Sequence, residues 1–315
     1  GMLSNKGKLY ETLKSTEWDR IVLDEAHELR NPKSQRFGVL LEIPAKIRWI
    51  LTGTPVFNTK TDYRTLLRFL TNDKPFINEN NSHILRRTKA DLTMFDESLK
   101  IPDCTFECVE LERYPEEEQG YIQVFDGFSQ RIQNANSTTM AMIVLEGFLR
   151  MRQYSTHPEV YHFSIPNLGP YLPDRCRKMD YLVESICTHR DEKTLVFCQF
   201  LREMDIIKDM LVQNDVRVFR LDGSTTEDRD GEIRDFKSYP NGAVFLIQIK
   251  AGGQGLNLQE ASRVYITSPA WNPATELQAI SRAHRKGQTK HVHVKKLVYV
   301  SDSDTPSIDE SIVEL

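Results

Sequence analysis

Ile21-Val22-Leu23-Asp24-Glu25-Ala26-His27 is a short aliphatic, β-branched run that stops on two adjacent carboxylates. Such a run is too short for a helix, and its closure by Asp suits a strand buried on both faces of a parallel sheet. A strand ending this way delivers Asp24 and Glu25 to the carboxyl edge of the sheet, where ligands bind in open α/β folds. One carboxylate can hold a hydrated Mg²⁺ ion, and the next can orient an attacking water. A DE pair after a strand is also an ordinary helix N-cap, so the stretch has to be weighed with its surroundings.

Further runs of the same kind follow at Ile50-Leu51, Thr194–Cys198, Val244–Ile249 and Val264–Thr267. Helical patterns lie between them: Tyr63, Leu66, Leu67 and Leu70 recur at helical spacing behind Thr61-Asp62, and Ile206, Ile207, Met210 and Leu211 do so after Phe200. Strand, helix, strand is the pattern of a doubly wound α/β fold. It occurs twice and predicts a first lobe over residues 1–105 and a second over 174–300. Residues 106–173 read as a helical insertion whose apolar stripe is Ile143-Val144, Phe148-Leu149 and Met151. The Ser/Asp-rich 301–315 reads as an acidic, flexible tail.

Composition fits a globular protein, with 39% hydrophobic and 27% charged residues in 315. No run of eighteen apolar residues offers a membrane span. Gly1-Met2 reads as the scar of a removed tag, and the start has no apolar signal region. Five cysteines, none in CxxC spacing, read as reduced thiols of a cytosolic or nuclear protein, and no structural metal is expected. The net charge of −4 gives no hint of nucleic acid, so DNA contact must come from local patches. Acidic residues gather in Glu107–Glu118, and basic ones in Arg86-Arg87-Thr88-Lys89 and Arg282–Lys296. Each run taken alone reads as a solvated surface.

Three more stretches carry chemistry. Trp49-Ile50-Leu51-Thr52-Gly53-Thr54-Pro55 ends a strand with two hydroxyls around a glycine, placed to hydrogen-bond the DEAH carboxylates. Lys250-Ala251-Gly252-Gly253-Gln254-Gly255-Leu256-Asn257-Leu258 is a glycine-rich loop that lets backbone approach a phosphate. In Gln278-Ala279-Ile280-Ser281-Arg282-Ala283-His284-Arg285-Lys286-Gly287-Gln288, helical spacing puts Gln278, Arg282 and Arg285 on one face. Two guanidiniums aimed together suit the charge of a transferring phosphoryl group.

Taken in order, DEAH, LTGTP with Asn58, Leu85-Arg86-Arg87-Thr88-Lys89, Met151-Arg152-Gln153 with His157-Pro158, TLVFCQF, Arg220-Leu221-Asp222-Gly223-Ser224, AGGQGLNL, Trp271-Asn272-Pro273 and QAISRAHRKGQ resemble the SNF2 family of helicase-like ATPases. They cover residues 18–298. The resemblance implies two RecA-like lobes, ATP and Mg²⁺ as cofactors, and movement along double-stranded DNA without strand separation, with DNA-bound protein complexes as partners and the nucleus as location. It implies that Asp24 serves Mg²⁺, with Glu25 beside it orienting the water, and that Arg282 and Arg285 act as arginine fingers. His27, Gly253, Gly255, Asn257 and Gln278 would belong to the nucleotide region. Thr52, Gly53, Thr54, Arg86, Arg87, Lys89, Lys250 and Trp271 would couple it to DNA.

The chain departs from the family pattern in three respects. No GxxxxGK[ST] phosphate loop occurs anywhere in it, which implies a piece of a longer protein whose first lobe lacks its opening strands, and little ATP hydrolysis by this chain alone. Ser281 and Lys286 stand where the family usually has Asp and Ile. The segment between lobes is short, as in compact viral members. A nucleic-acid or protein binding module without hydrolysis, and a strand-separating helicase, remain alternative readings.

Overall fold

The computed structural model describes residues 8–53, 60–72, 84–88, 91, 94, 96–97, 100–165, 173, 175–223, 228–249, 256–301 and 305–314. The chain divides into two compact units, Gly1–Thr88 and Lys89–Leu315.

In the first unit, α1 (Lys8–Ser15), β1 (Trp18–Leu23), a 3₁₀ turn (Ala26–Leu29), α2 (Gln35–Glu42), β2 (Ala45–Ile50) and α3 (Lys60–Leu70) follow one another. The strands pair in parallel from Trp18↔Ala45 to Leu23↔Ile50. The Ser34 hydroxyl accepts the Phe37 N–H and starts α2. At its other end, Arg48 of β2 donates to the carbonyls of Leu40 (3.2 Å) and Ile43 (2.7 Å), satisfying acceptors that a helix end leaves open. Phe37, Leu40, Ile43 and Phe69 form the core with Trp18, Ile21, Leu23 and Ile50 against it. The expectation of two buried faces fails here. Val22, Ile47 and Trp49 are 44–52% exposed, and the Arg20 guanidinium lies over the Trp49 ring. Helix α3 begins at Lys60, so Thr61 and Asp62 lie in its first turn, not ahead of it.

The second unit runs β3 (Cys104–Glu112), α4 (Pro115–Gln133), α5 (Ser137–Thr156), α6 (Pro158–Phe163), α7 (Arg177–Thr188), β4 (Thr194–Cys198), α8 (Leu201–Gln213), β5 (Val218–Leu221), α9 (Arg229–Ser238), β6 (Val244–Gln248), β7 (Arg263–Ile266), α10 (Pro273–Ile280), β8 (Val292–Val300) and α11 (Ile308–Val313). Its six strands form one parallel sheet in the order β3-β8-β7-β4-β6-β5. One core holds Val196, Leu246, Tyr265 and Leu297 under α7 and α8, and another holds Phe197, Phe245, Ile247 and Val294 with Phe236 of α9. Here the aliphatic strands are buried on both faces, as their composition requires.

Two expectations are corrected. Cys104–Glu112 is a strand of this sheet, not the close of the first lobe and the start of a helical insertion. Its residues pair with β8 over the full length of both strands. Nor is the acidic segment loose where it is described: Ile308, Asp309 and Ile312 are buried, the two isoleucines packing with Tyr121, Val124, Phe128 and Tyr154. The Lys178 ammonium donates to Asp309 Oδ2 at 2.6 Å with both side chains withdrawn from solvent. The insertion's apolar stripe is also only partly covered. Ile143 and Met151 pack inward, while Phe148 and Leu149 are 37% and 46% exposed.

Candidate active site

The β1/β2 register decides what gathers at the edge of the first unit's sheet. Because Leu23 stands beside Ile50, the residues that follow both strands emerge together, and the backbone stays zipped beyond them: Leu51 N–H donates to Leu23 O (2.8 Å) and Ala26 N–H to Leu51 O (3.1 Å). Asp24 is exposed there, and its Oδ1 accepts the Glu25 N–H at 2.9 Å. Glu25 has φ 47° and ψ 43°, a left-handed conformation that side chains with a Cβ rarely adopt. It occupies the N-cap position of the 3₁₀ turn, yet its side chain caps nothing. The ordinary N-cap reading of the pair therefore does not hold. The Glu25 carboxylate instead lies 3.4 Å from His27 Nδ1, which is itself 3.3 Å from Thr52 Oγ1. DEAH and the Thr52 turn thus meet, and Gly53 follows on an exposed bend. Thr54 lies outside the described residues.

Among the described residues no three His, Cys, Asp or Glu side chains could cage a metal on their own. Mg²⁺ does not need such a cage: it keeps several waters and takes one or two carboxylates, with phosphates completing its shell. The Asp24–Glu25 pair fits that role.

In the second unit, Lys250, Gly253 and Gly255 lie outside the described residues. The chain is described again at Leu256, where it locks onto the arginine segment: Leu258 N–H donates to Arg282 O (2.9 Å) and Arg285 Nη1 to Leu256 O (3.2 Å). The Asn257 Oδ1 is buried and takes no hydrogen bond among the described residues. Gln278 lies half-buried in α10, but that helix ends at Ile280. Arg282 and Arg285 belong to the turns after it, so the expected single helical face is corrected. The chain tightens as Ala283 N–H and His284 N–H both turn back to Ile280 O. Ser281 closes the helix by donating from Oγ to Gln278 O at 2.7 Å. Arg282 is buried and Arg285 half-buried.

The residues that hold this turn carried no assigned role in the sequence. Gln288 donates from Nε2 to Ala261 O (2.8 Å) and Ala283 O (3.2 Å), and its Oε1 accepts the N–H groups of Thr289 and Lys290. Gly287 has φ +97°, and a Cβ there would meet Gln259 Oε1 at 2.4 Å. His284 Nε2 lies 2.8 Å from Pro102 O. Behind the turn, Glu276 accepts the Ala270 N–H (2.8 Å) and pairs with Lys296 (3.2 Å). Trp271 is 47% exposed, edge-on to Phe148, with Arg152 over its ring and donating to Pro269 O at 2.9 Å. The signal for these supports was the quoted motifs themselves, since Arg152 and Gln288 stand in two of them. Arg86 and Arg87 are exposed, and Lys89 lies outside the described residues.

A family model described as the SNF2-related domain matches residues 3–81, and one described as the helicase conserved C-terminal domain matches residues 177–287. The chain is 29% identical to the ISWI chromatin-remodeling complex ATPase ISW2 of Saccharomyces cerevisiae over 96% of its own length and 29% of that protein. It is 28% identical to the probable global transactivator of Orgyia pseudotsugata multicapsid polyhedrosis virus, over 91% of its length and 62% of that protein. It therefore spans less than two thirds of either relative. Among solved structures, the Sulfolobus solfataricus SWI2/SNF2 ATPase core in complex with dsDNA matches 100% of this chain and 69% of its own, with TM-score 0.55 and 27% identity. The C-terminal part of the Fun30 ATPase domain, at 23% identity and TM-score 0.55, shares the fold over 69% of this chain.

Proposed function

This chain belongs to the SNF2 family of helicase-like ATPases, and on that premise we propose that it supplies the hydrolytic carboxylates and the arginine turn of an ATPase that translocates on double-stranded DNA. The observation that carries the reading is the strained, uncapped Glu25 beside Asp24 at a sheet edge, with His27 against it and Thr52 against His27. Asp24 and Glu25 would hold Mg²⁺, and Glu25 would orient the water that attacks ATP. Arg282 and Arg285 would offset charge on the transferring phosphoryl group, with Asn257 and Gln278 in the nucleotide region. Bound Mg²⁺ would supply charge neutralisation on the phosphates. Arg86, Arg87 and Trp271 would serve the DNA side, together with Thr52, Gly53, Thr54, Lys89 and Lys250. DNA-bound protein complexes, as the relatives' names suggest, would be the objects moved, in the nucleus. No described helix is long and apolar enough to cross a membrane.

The 315 residues contain no GxxxxGK[ST] loop, so this chain lacks that backbone grip on a triphosphate and would turn over little ATP by itself. The same absence favours, as a second reading, a nucleic-acid or protein binding module without hydrolysis. The translocase reading requires duplex recognition through phosphates, which fluorescence anisotropy tests. A labelled duplex should bind more tightly than a single strand of equal length, with the logarithm of its affinity falling linearly in the logarithm of salt concentration. Arg86→Ala with Arg87→Ala should lower that slope by about 2. Salt-independent binding, or a preference for single strands, would contradict duplex translocation; strand separation in an unwinding assay would favour the helicase alternative.

A further inference from the structure

His291 and His293 flank Val292 at the start of β8, and their two-residue spacing on a strand sends both imidazoles to the same face of the sheet. The rings are 4.5 Å apart, centroid to centroid. Both direct a nitrogen at one atom: His293 Nδ1 and His291 Nε2 each lie 3.2 Å from the Thr105 hydroxyl on the neighbouring β3. A hydroxyl has one proton, so it can donate to only one of these nitrogens, and the other ring must offer an N–H. If the N–H ring moves its proton to its other nitrogen, both rings present lone pairs to the same small volume. Across the sheet, Arg263 is paired in register with His293, and its charge is engaged by Glu192 through contacts of 2.9 and 3.0 Å. The arrangement is half-exposed and lies within the second unit.

We propose that His291 and His293, converging on the Thr105 hydroxyl, form an exchangeable site for a divalent transition-metal ion such as Zn²⁺ or Cu²⁺. Neutral imidazole suits these ions, and Cu²⁺ should bind more tightly than Zn²⁺. Among the described residues no third His, Cys, Asp or Glu closes the shell, so solvent fills the remaining positions and the ion exchanges. The site is independent of the nucleotide and DNA reading and stands or falls apart from it.

The test is a Zn²⁺ titration of the purified chain, followed by calorimetry and by the imidazole ¹⁵N resonances. One ion should bind, with the ring signals of His291 and His293 moving together. His291→Gln and His293→Gln should each weaken binding at least about tenfold, the scale of losing even an outer partner. Each variant's thermal transition without metal checks its folding, and if one fails to fold, the wild-type ring signals decide. Zn²⁺ uptake untouched by both folded variants, or movement of only one ring's resonances, would overturn the proposal.

Discussion

Glu25 carries a local contradiction that can be measured. A non-glycine residue in the left-handed region costs about 1 kcal/mol or more, and such strain tends to persist where function needs it. Replacing Glu25 with Gly should therefore raise the stability of the first unit by about 1 kcal/mol in urea unfolding, while deleting the carboxylate. A destabilised variant would mean that the contact with His27 outweighs the strain. His157 offers a second residue-level test. Its Nδ1 accepts the Glu159 N–H at 3.0 Å and caps α6, and burial pushes its pKa down to about 4. The unfolded imidazole titrates near 6.5. Between these values the unfolded chain holds a proton that the folded chain refuses, so stability should fall as pH drops from about 6.5 to about 4. His157→Asn keeps a capping oxygen and loses the titration, so its urea midpoint should decline less across that window. An unchanged decline would show that His157 is not responsible. At this scale the sequence told much about identity and little about conformation. Asp24 and Glu25 were legible from a strand ending, but the left-handed backbone at Glu25 follows from pairing with a distant strand.

The elements show where one-dimensional reading lost information. The acidic Glu107–Glu118 and the basic Arg282–Lys296 looked like separate solvated runs. Part of each is a strand, and the two lie side by side, with Glu107 opposite Lys295 and their charged groups 3.6 Å apart. Cross-strand pairs of opposite charge stabilise a sheet, but they are far apart in sequence and leave no periodic signal. The arginine segment failed differently. Its helical spacing is real, yet α10 stops at Ile280 because Ser281 bonds back to Gln278 and a positive-φ Gly287 follows. The last helix was hidden by its polar composition, since Asp309 is buried by pairing, not by apolarity. That pair makes a prediction. Lys178→Met or Asp309→Leu alone should cost about 3–5 kcal/mol by stranding a buried charge, while the double variant should recover most of the loss. Additive losses in urea denaturation would show that the pair is not coupled.

At the scale of the molecule, the two α/β units were readable because buried parallel strands advertise themselves as short aliphatic runs. The exceptions are β3, β5 and β8, which carry charged or alternating residues, and the first unit's sheet, whose Val22, Ile47 and Trp49 face outward among the described residues. The candidate chemistry divides along the same line: carboxylates with the first unit, arginines with the second, and no phosphate loop in either. Metal-assisted hydrolysis needs the triphosphate held before the water can be oriented, and the GxxxxGK[ST] loop that does so in P-loop ATPases does not occur in the 315 residues. The most direct measurement is therefore the steady-state ATP turnover of the purified chain, with and without duplex DNA, beside Glu25→Gln. The absence of a phosphate loop predicts equal, background rates for both proteins under both conditions. Duplex-stimulated turnover that disappears in Glu25→Gln would contradict it.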